Sequence, residues 1–192
     1  MLHCNPEAIL PNDFSTMLRL SLLALLLGLA LPLGASAADS ALRVVVLKSE
    51  RRLELLQDGR VVKTYPVGLG TNPTGTKLRQ GDGRTPEGTF YVCVKNEHSQ
   101  YYRSLGLSYP TPADATRGLA GNLITRTQHD AILAAHKKRT TPPWNTPLGG
   151  EIFIHGNGSS SDWTLGCIAL DDADMKELFA TIAKGTAVEI RP

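Results

Sequence analysis

Apolar residues crowd the N-terminus of this chain and alternate with polar ones further on. From Leu20 to Ala38 no residue is charged, Leu22-Leu23-Ala24-Leu25-Leu26-Leu27 is strongly apolar, and Arg19 lies just before the run. Pro32 and Gly34 break a helix there, and Ala35-Ser36-Ala37 supplies a small-x-small site. The pattern predicts a signal peptide over residues 1–37, cleaved before Ala38. Glu7 and Asp13 are foreign to a signal n-region, which makes Met17 an alternative start. An uncleaved anchor helix competes, but Pro32 and the cleavage site count against it. No cysteine follows the apolar run, as a lipoprotein would require.

Beyond that segment the period is that of strands. Arg43 to Lys48 is rich in valine, Leu53 to Leu56 follows a polar turn, and Asp58-Gly59 closes a hairpin into Arg60 to Val67. A Gly/Thr/Pro loop from Leu69 to Gly88 is long for a plain connection, so it is expected to line a site. Thr89 to Lys95 suits a strand, whereas residues 96–126 mix aromatic, Gly and Pro residues and read as irregular. Thr127 is expected to cap a helix carrying Ile132 and Ala135, ended by Pro142-Pro143. Ile152 to His155 reads as a short buried strand. Asp171 opens a second helix with Met175, Leu178, Phe179 and Ile182 as its apolar stripe and Gly185 as its stop, and Thr186 to Ile190 is a last strand. No repeat or low-complexity tract interrupts this order.

The 192 residues fit one domain plus a targeting segment. Cleavage would remove Arg19, Glu7 and Asp13, so the net charge rises from +2 to +3, too mild to imply a nucleic-acid partner or a membrane surface beyond the signal segment. It would also remove Cys4, leaving Cys93 and Cys167 in an oxidising compartment where a disulfide is conceivable. Cys93 sits between Val92 and Val94, which favours an inert core thiol.

The candidate chemistry lies in "EIFIHGNGSSSDWTLGCIAL", Glu151 to Leu170. A thiol becomes a useful nucleophile when a base takes its proton and backbone N–H groups receive the oxyanion. His155 ends a strand, a Gly/Asn/Ser loop turns the chain, and Gly166 clears the approach to Cys167. On spacing alone a catalytic pair and a core cysteine behind a surface histidine are equally good readings. His98, His129, His136 and His155 form no HExxH or comparable pair with a carboxylate, which disfavours a zinc peptidase. The run His136-Lys137-Lys138-Arg139 reads as a helix C-terminus.

The segments "GDGRTPEGTFYV", "IFIHG" and "TLGCIAL" resemble the YkuD-type L,D-transpeptidase catalytic domain, from about Leu42 to Arg191. The resemblance implies a mainly β fold, a mixed β-sheet sandwich with about two α-helices in a single domain, of exported enzymes working in the periplasm or cell envelope on peptidoglycan. It implies Cys167 as nucleophile, His155 as proton donor and acceptor, the Gly156 carbonyl orienting His155, and Gly166 with Cys167 lending backbone to the oxyanion hole. No metal or organic cofactor is implied. The implied partners are peptidoglycan stem peptides and, for some members, a wall-attached lipoprotein. Trp163 and Thr164 are candidates to wall the substrate groove. Arg84 is a candidate substrate contact, although Arg84, Thr85 and Glu87 read better as turn chemistry around Pro86 and Gly88.

Two positions leave the common family pattern. Leu165 stands where many members have a histidine, and Ala169 where they have an arginine that could fork onto a carboxylate. Three functions therefore stay in play: an L,D-transpeptidase, an L,D-carboxypeptidase or amidase using the same residues, and a peptidoglycan-binding module without turnover.

Overall fold

The computed structural model describes residues 42–192; the expected signal peptide lies outside them. The described chain folds as eight strands and three helices. Strands β1 (Arg43–Leu47), β2 (Arg52–Gln57) and β3 (Arg60–Pro66) form the expected meander. Asp58 and Gly59 both take positive φ, 53° and 75°, the backbone a tight hairpin needs to match strand twist. β4 (Gly88–Ser99) is twice the length of β5 (Tyr102–Leu107) and turns the corner of the sheet. Its first residues pair with β8 (Ala187–Arg191), Gly88 opposite Ile190, and its later ones with β5, Val92 opposite Leu107. The register shifts between Val92 and Val94, a bulge of the kind that bends a strand.

The full order is β3-β2-β1-β8-β4-β5-β6-β7, with β6 (Phe153–His155) and β7 (Ile168–Ala169) at the far end. Gly68 bridges to Ala169 and Gly70 to Thr164, so the far end is tied to the chain that leaves β3. The two halves close over one core. Val44, Leu53 and Tyr65 come from the first half, Leu105, Leu107, Ile154 and Ile168 from the second, and Met175, Leu178 and Phe179 from helix α3 (Asp172–Thr181). A smaller cluster of Ala115, Ile124, Ile132 and Leu148 holds α1 (Pro112–Ala120) and α2 (Arg126–Lys137) together.

Residues 96–126 are not irregular. They hold the end of β4, all of β5 and α1, so three helices replace the expected two. β5 hides from a period-2 reading because Ser104 to Leu107 is buried on both faces, and because Gly106 leaves room for the Phe153 ring, 2.9 Å from where a Cβ would stand. α1 does carry its signal: Thr111 caps, Pro112 follows, and Asp114 reaches back to the Thr111 N–H. α2 starts two residues earlier than expected, capped by Thr125 in a box with Gln128. Cys93 lies at the β4 bulge, half-buried, its thiol donating to the Gly106 carbonyl at 3.4 Å, and both Cys93 and Cys167 are free.

The loop between β3 and β4 is fixed by buried charge. Lys48, 3% exposed, donates to the carbonyls of Gly75 and Thr85 and to Glu87 Oε1 at 2.7 Å. Asp82 accepts from Lys77 Nζ at 2.8 Å and from the N–H groups of Leu78, Arg79 and Arg84. Burial alone would raise the Asp82 pKa, but these four donors outweigh it and hold it at about 2. A carboxylate lowered on folding stabilises above its unfolded pKa and loses that contribution as pH falls through the folded value. Asp82 therefore contributes about 2 kcal/mol above pH ~4, lost on acidification towards pH 2. Asp82→Asn should lower the Tm at neutral pH and shallow the acid limb of stability between pH ~4 and ~2; an unchanged acid limb would show that Asp82 is not linked to folding.

Candidate active site

β6 and β7 pair in parallel, Ile154 opposite Ile168 and His155 opposite Ala169. Parallel neighbours need a crossover of about a dozen residues or more, and Gly156–Cys167 provides one without a helix. Side chains alternate along a strand. Ile154 and Ile168 point into the core, which puts Phe153, His155 and Cys167 on the other face. The same alternation brings them to one cavity of about 790 Å³, lined among others by Lys77, Tyr101, Ser104, Trp144, Glu151, Trp163 and Leu165.

Three carboxylates hold the crossover loop. Asp172 Oδ1 accepts from the Asn157 N–H at 2.8 Å, and Asp171 Oδ1 from the N–H and hydroxyl of Ser159. Asp171 thus sits at the expected helix start, yet its carboxylate serves the loop and makes no cap bond. Asp162 takes Arg51 at 2.7 Å and the Leu69 N–H at 2.9 Å. Gly156 has no room for a side chain: a Cβ would lie 2.4 Å from Asp172 Oδ1.

His155 is 3% exposed. Its Nδ1 lies 2.7 Å from the Gly156 carbonyl, which assigns the proton to Nδ1 and leaves Nε2 a free lone pair. Tyr101 stacks on the ring at 4.8 Å and Trp163 meets it edge-on at 5.6 Å. Burial lowers the imidazole pKa, only partly offset by the Gly156 carbonyl, so the ring is a neutral base at neutral pH. Cys167 is half-buried. Its Sγ accepts from the Phe153 N–H at 3.4 Å and donates to the Glu151 carbonyl at 3.5 Å. Burial raises the thiol pKa against the lowering effects of the Phe153 N–H and the Lys77 charge. The resting pair is thiol and imidazole, not thiolate and imidazolium.

Around the cysteine the backbone is tightly specified. The Cys167 carbonyl accepts from Thr164 Oγ1 at 2.8 Å and Thr85 Oγ1 at 3.5 Å, and Gly166 N–H donates to Thr164 Oγ1 at 3.1 Å. Gly166 has φ +130° and a Cβ there would meet the Arg84 carbonyl at 2.6 Å. Thr164 is buried and braces the turn while lining the cavity. Trp163 does both as well, wall on one side and loop packing through its Nε1–H to the Gly158 carbonyl at 3.1 Å. Arg84 is not brought to the site: it is absent from the cavity lining and its Nη1 donates to the Thr76 carbonyl at 3.5 Å. Leu165 is 79% exposed on the rim, and Ala169 is fully buried beside Gly68. Tyr101, Ser104 and Lys77 also line the site, and no local motif in the sequence marks them. Ser104 is paired opposite His155, a relation that only β5 reveals.

The described residues thus form a mixed sheet that carries a cysteine and a histidine on one face of adjacent strand ends, in one cavity. The model of the YkuD family, described as the L,D-transpeptidase catalytic domain, matches residues 41–190, and the chain belongs to that family. A relative in Escherichia coli (strain K12), named as the L,D-transpeptidase YafK, is 28% identical over 92 residues, 44% of this chain and 37% of its own length. The chain thus aligns with well under half of that relative. Among solved structures, the helical cell shape determining protein Pgp2 of Campylobacter jejuni has a TM-score of 0.56 at 24% identity, covering 79% of this chain and 47% of that one. Bd1075 of Bdellovibrio bacteriovorus has a TM-score of 0.54 at 18% identity, covering 82% and 50%. Both share the fold.

A neutral thiol reports itself in its reactivity. Alkylation of Cys167 by iodoacetamide should stay slow at neutral pH and rise with pH through a value above that of an ordinary cysteine, and His155→Ala should leave that profile nearly unchanged. A rate plateau already reached in mildly acidic solution would mean a standing ion pair instead.

Proposed function

We propose that this protein is an exported L,D-transpeptidase acting on peptidoglycan stem peptides through a thioester on Cys167. The observation that carries the reading is the shared cavity of Cys167 and His155, with His155 Nε2 free because Nδ1 is committed to the Gly156 carbonyl. In the first half-reaction Cys167 Sγ attacks the carbonyl between the L-centre of diaminopimelate and the following D-amino acid. Nε2 takes the thiol proton and delivers it to the departing amine, releasing D-alanine. In the second half an amine gives its proton to Nε2 and its lone pair to the thioester carbon, and Cys167 leaves as the thiol once the proton is returned.

The tetrahedral oxyanion needs backbone donors. Gly166 N–H is already bonded to Thr164, so Gly166 shapes the turn, and the Cys167 N–H, which donates to no group among the described residues, receives the oxyanion. The acceptor amine belongs to a neighbouring stem peptide or to a lipoprotein lysine. Hydrolysis is the second reading. Leu165 is 79% exposed on the cavity rim, and it places no second imidazole beside the thioester to recruit an amine in preference to water.

Wall muropeptides incubated with the protein should yield new diaminopimelate crosslinks by mass. Cys167→Ala should abolish them and His155→Ala should slow them about 10²- to 10⁴-fold. Shortened peptides without crosslinks would assign hydrolysis, and unchanged muropeptides that still bind both the native protein and Cys167→Ala would overturn the enzymatic reading.

A further inference from the structure

Lys77 is 3% exposed and is the one permanent cation among the described residues lining the cavity. Its Nζ has three N–H donors, and its single hydrogen bond among the described residues goes to Asp82 Oδ1 at 2.8 Å. Asp82 cannot swing away with it, because the N–H groups of Leu78, Arg79 and Arg84 hold both carboxylate oxygens. The ammonium is therefore fixed in place with donors to spare.

The stretch Gly149-Gly150-Glu151 connects this cation to the thiol. Lys77 Cε packs against Gly149, 3.4 Å from where a Cβ would stand, and the Glu151 carbonyl accepts from Cys167 Sγ at 3.5 Å. Lys77, Gly149, Gly150, Glu151 and Cys167 all line the one cavity, so this stretch forms the wall that runs from the lysine to the thiol. Trp144 lies in the same wall, its ring against Gly150, and its indole N–H is buried without a partner among the described residues. An ammonium and an unpaired N–H in one wall are what a carboxylate needs.

We propose that Lys77, with Trp144 beside it, forms the subsite that binds a free carboxylate of the substrate and so sets which peptide is a donor. The proposal rests on the stem-peptide reading above. Two carboxylates of a stem peptide have the right chemistry: that of the terminal D-residue and the free one on the diamino acid.

Steady-state kinetics with the full chain separate them, using a tetrapeptide stem ending in D-alanine, its C-terminal amide, and the peptide amidated on the diamino acid. One amide should lose at least tenfold in kcat/KM, mainly through KM, and its identity names the carboxylate. Lys77→Met should lose a similar factor on the acid and cease to distinguish acid from amide. Lys77→Arg, which keeps the charge and the Asp82 partner, should retain the discrimination. No discrimination by the native protein, or an equal loss on all three peptides in Lys77→Met, would overturn the subsite. Failure of every peptide to turn over would instead sink the stem-peptide enzymology. Calorimetric binding of acid and amides to Cys167→Ala then decides the subsite, tighter binding of the acid supporting it and equal binding overturning it.

Discussion

Ile154 lies opposite Ile168 and His155 opposite Ala169, and the placing of Cys167 and His155 on one face hangs on that short parallel register. A slip of one residue would turn Cys167 into the core and bring Ile168 to the cavity. Two-residue β7 cannot hold such a register by its own ladder. It is held because Ile154 and Ile168 are both fully buried, because Gly68 pairs with Ala169 from the other side, and because Asp162, Asp171 and Asp172 fasten the intervening loop. The aromatic contacts of Tyr101 and Trp163 then fix the His155 ring within the frame.

Burial works on both partners of the pair in ways that suit acyl transfer. It pushes the thiol pKa up and the imidazole pKa down, so the resting site holds no uncompensated charge in a poorly solvated pocket. The thiol donates to the Glu151 carbonyl, and in the proposed mechanism its proton moves when substrate arrives. The buried ions nearby are met unequally: Lys48 is closed by Glu87 and two carbonyls and Asp82 by four donors, the condition under which buried charge is tolerated, whereas Lys77 Nζ has Asp82 alone among the described residues.

The sequence made the meander, the Asp58-Gly59 hairpin and α3 legible because each has a local signature: β-branched alternation, a turn dipeptide, an apolar stripe. The Cys/His pair was legible only through the resemblance of "IFIHG" and "TLGCIAL" to a known family, since spacing alone left a core cysteine equally good. β5 was hidden by burial on both faces and by Gly106, whose reason is the Phe153 ring from another strand. α1 carries a capping box in Thr111, Pro112 and Asp114, but the aromatic, Gly and Pro residues around it mask the signal. β7 is too short to announce itself, and its partner is set by the closure of the sheet. Tyr101 and Lys77 reach the site from elements distant in sequence, and no local spacing marks them. Arg84, a charged residue inside a matching motif, bonds within its own loop, as the turn reading of that segment expects, and not in the cavity that its alternative as a substrate contact would require.

The proposed acyl transfer requires Cys167 to be an accessible, activatable nucleophile rather than a buried structural thiol. Intact-mass spectrometry of the folded protein after incubation with a carbapenem decides it. A single adduct mapped to Cys167, absent in Cys167→Ala and strongly slowed in His155→Ala, is the predicted result. A folded protein that remains unmodified, or an adduct on Cys93 instead, would contradict it.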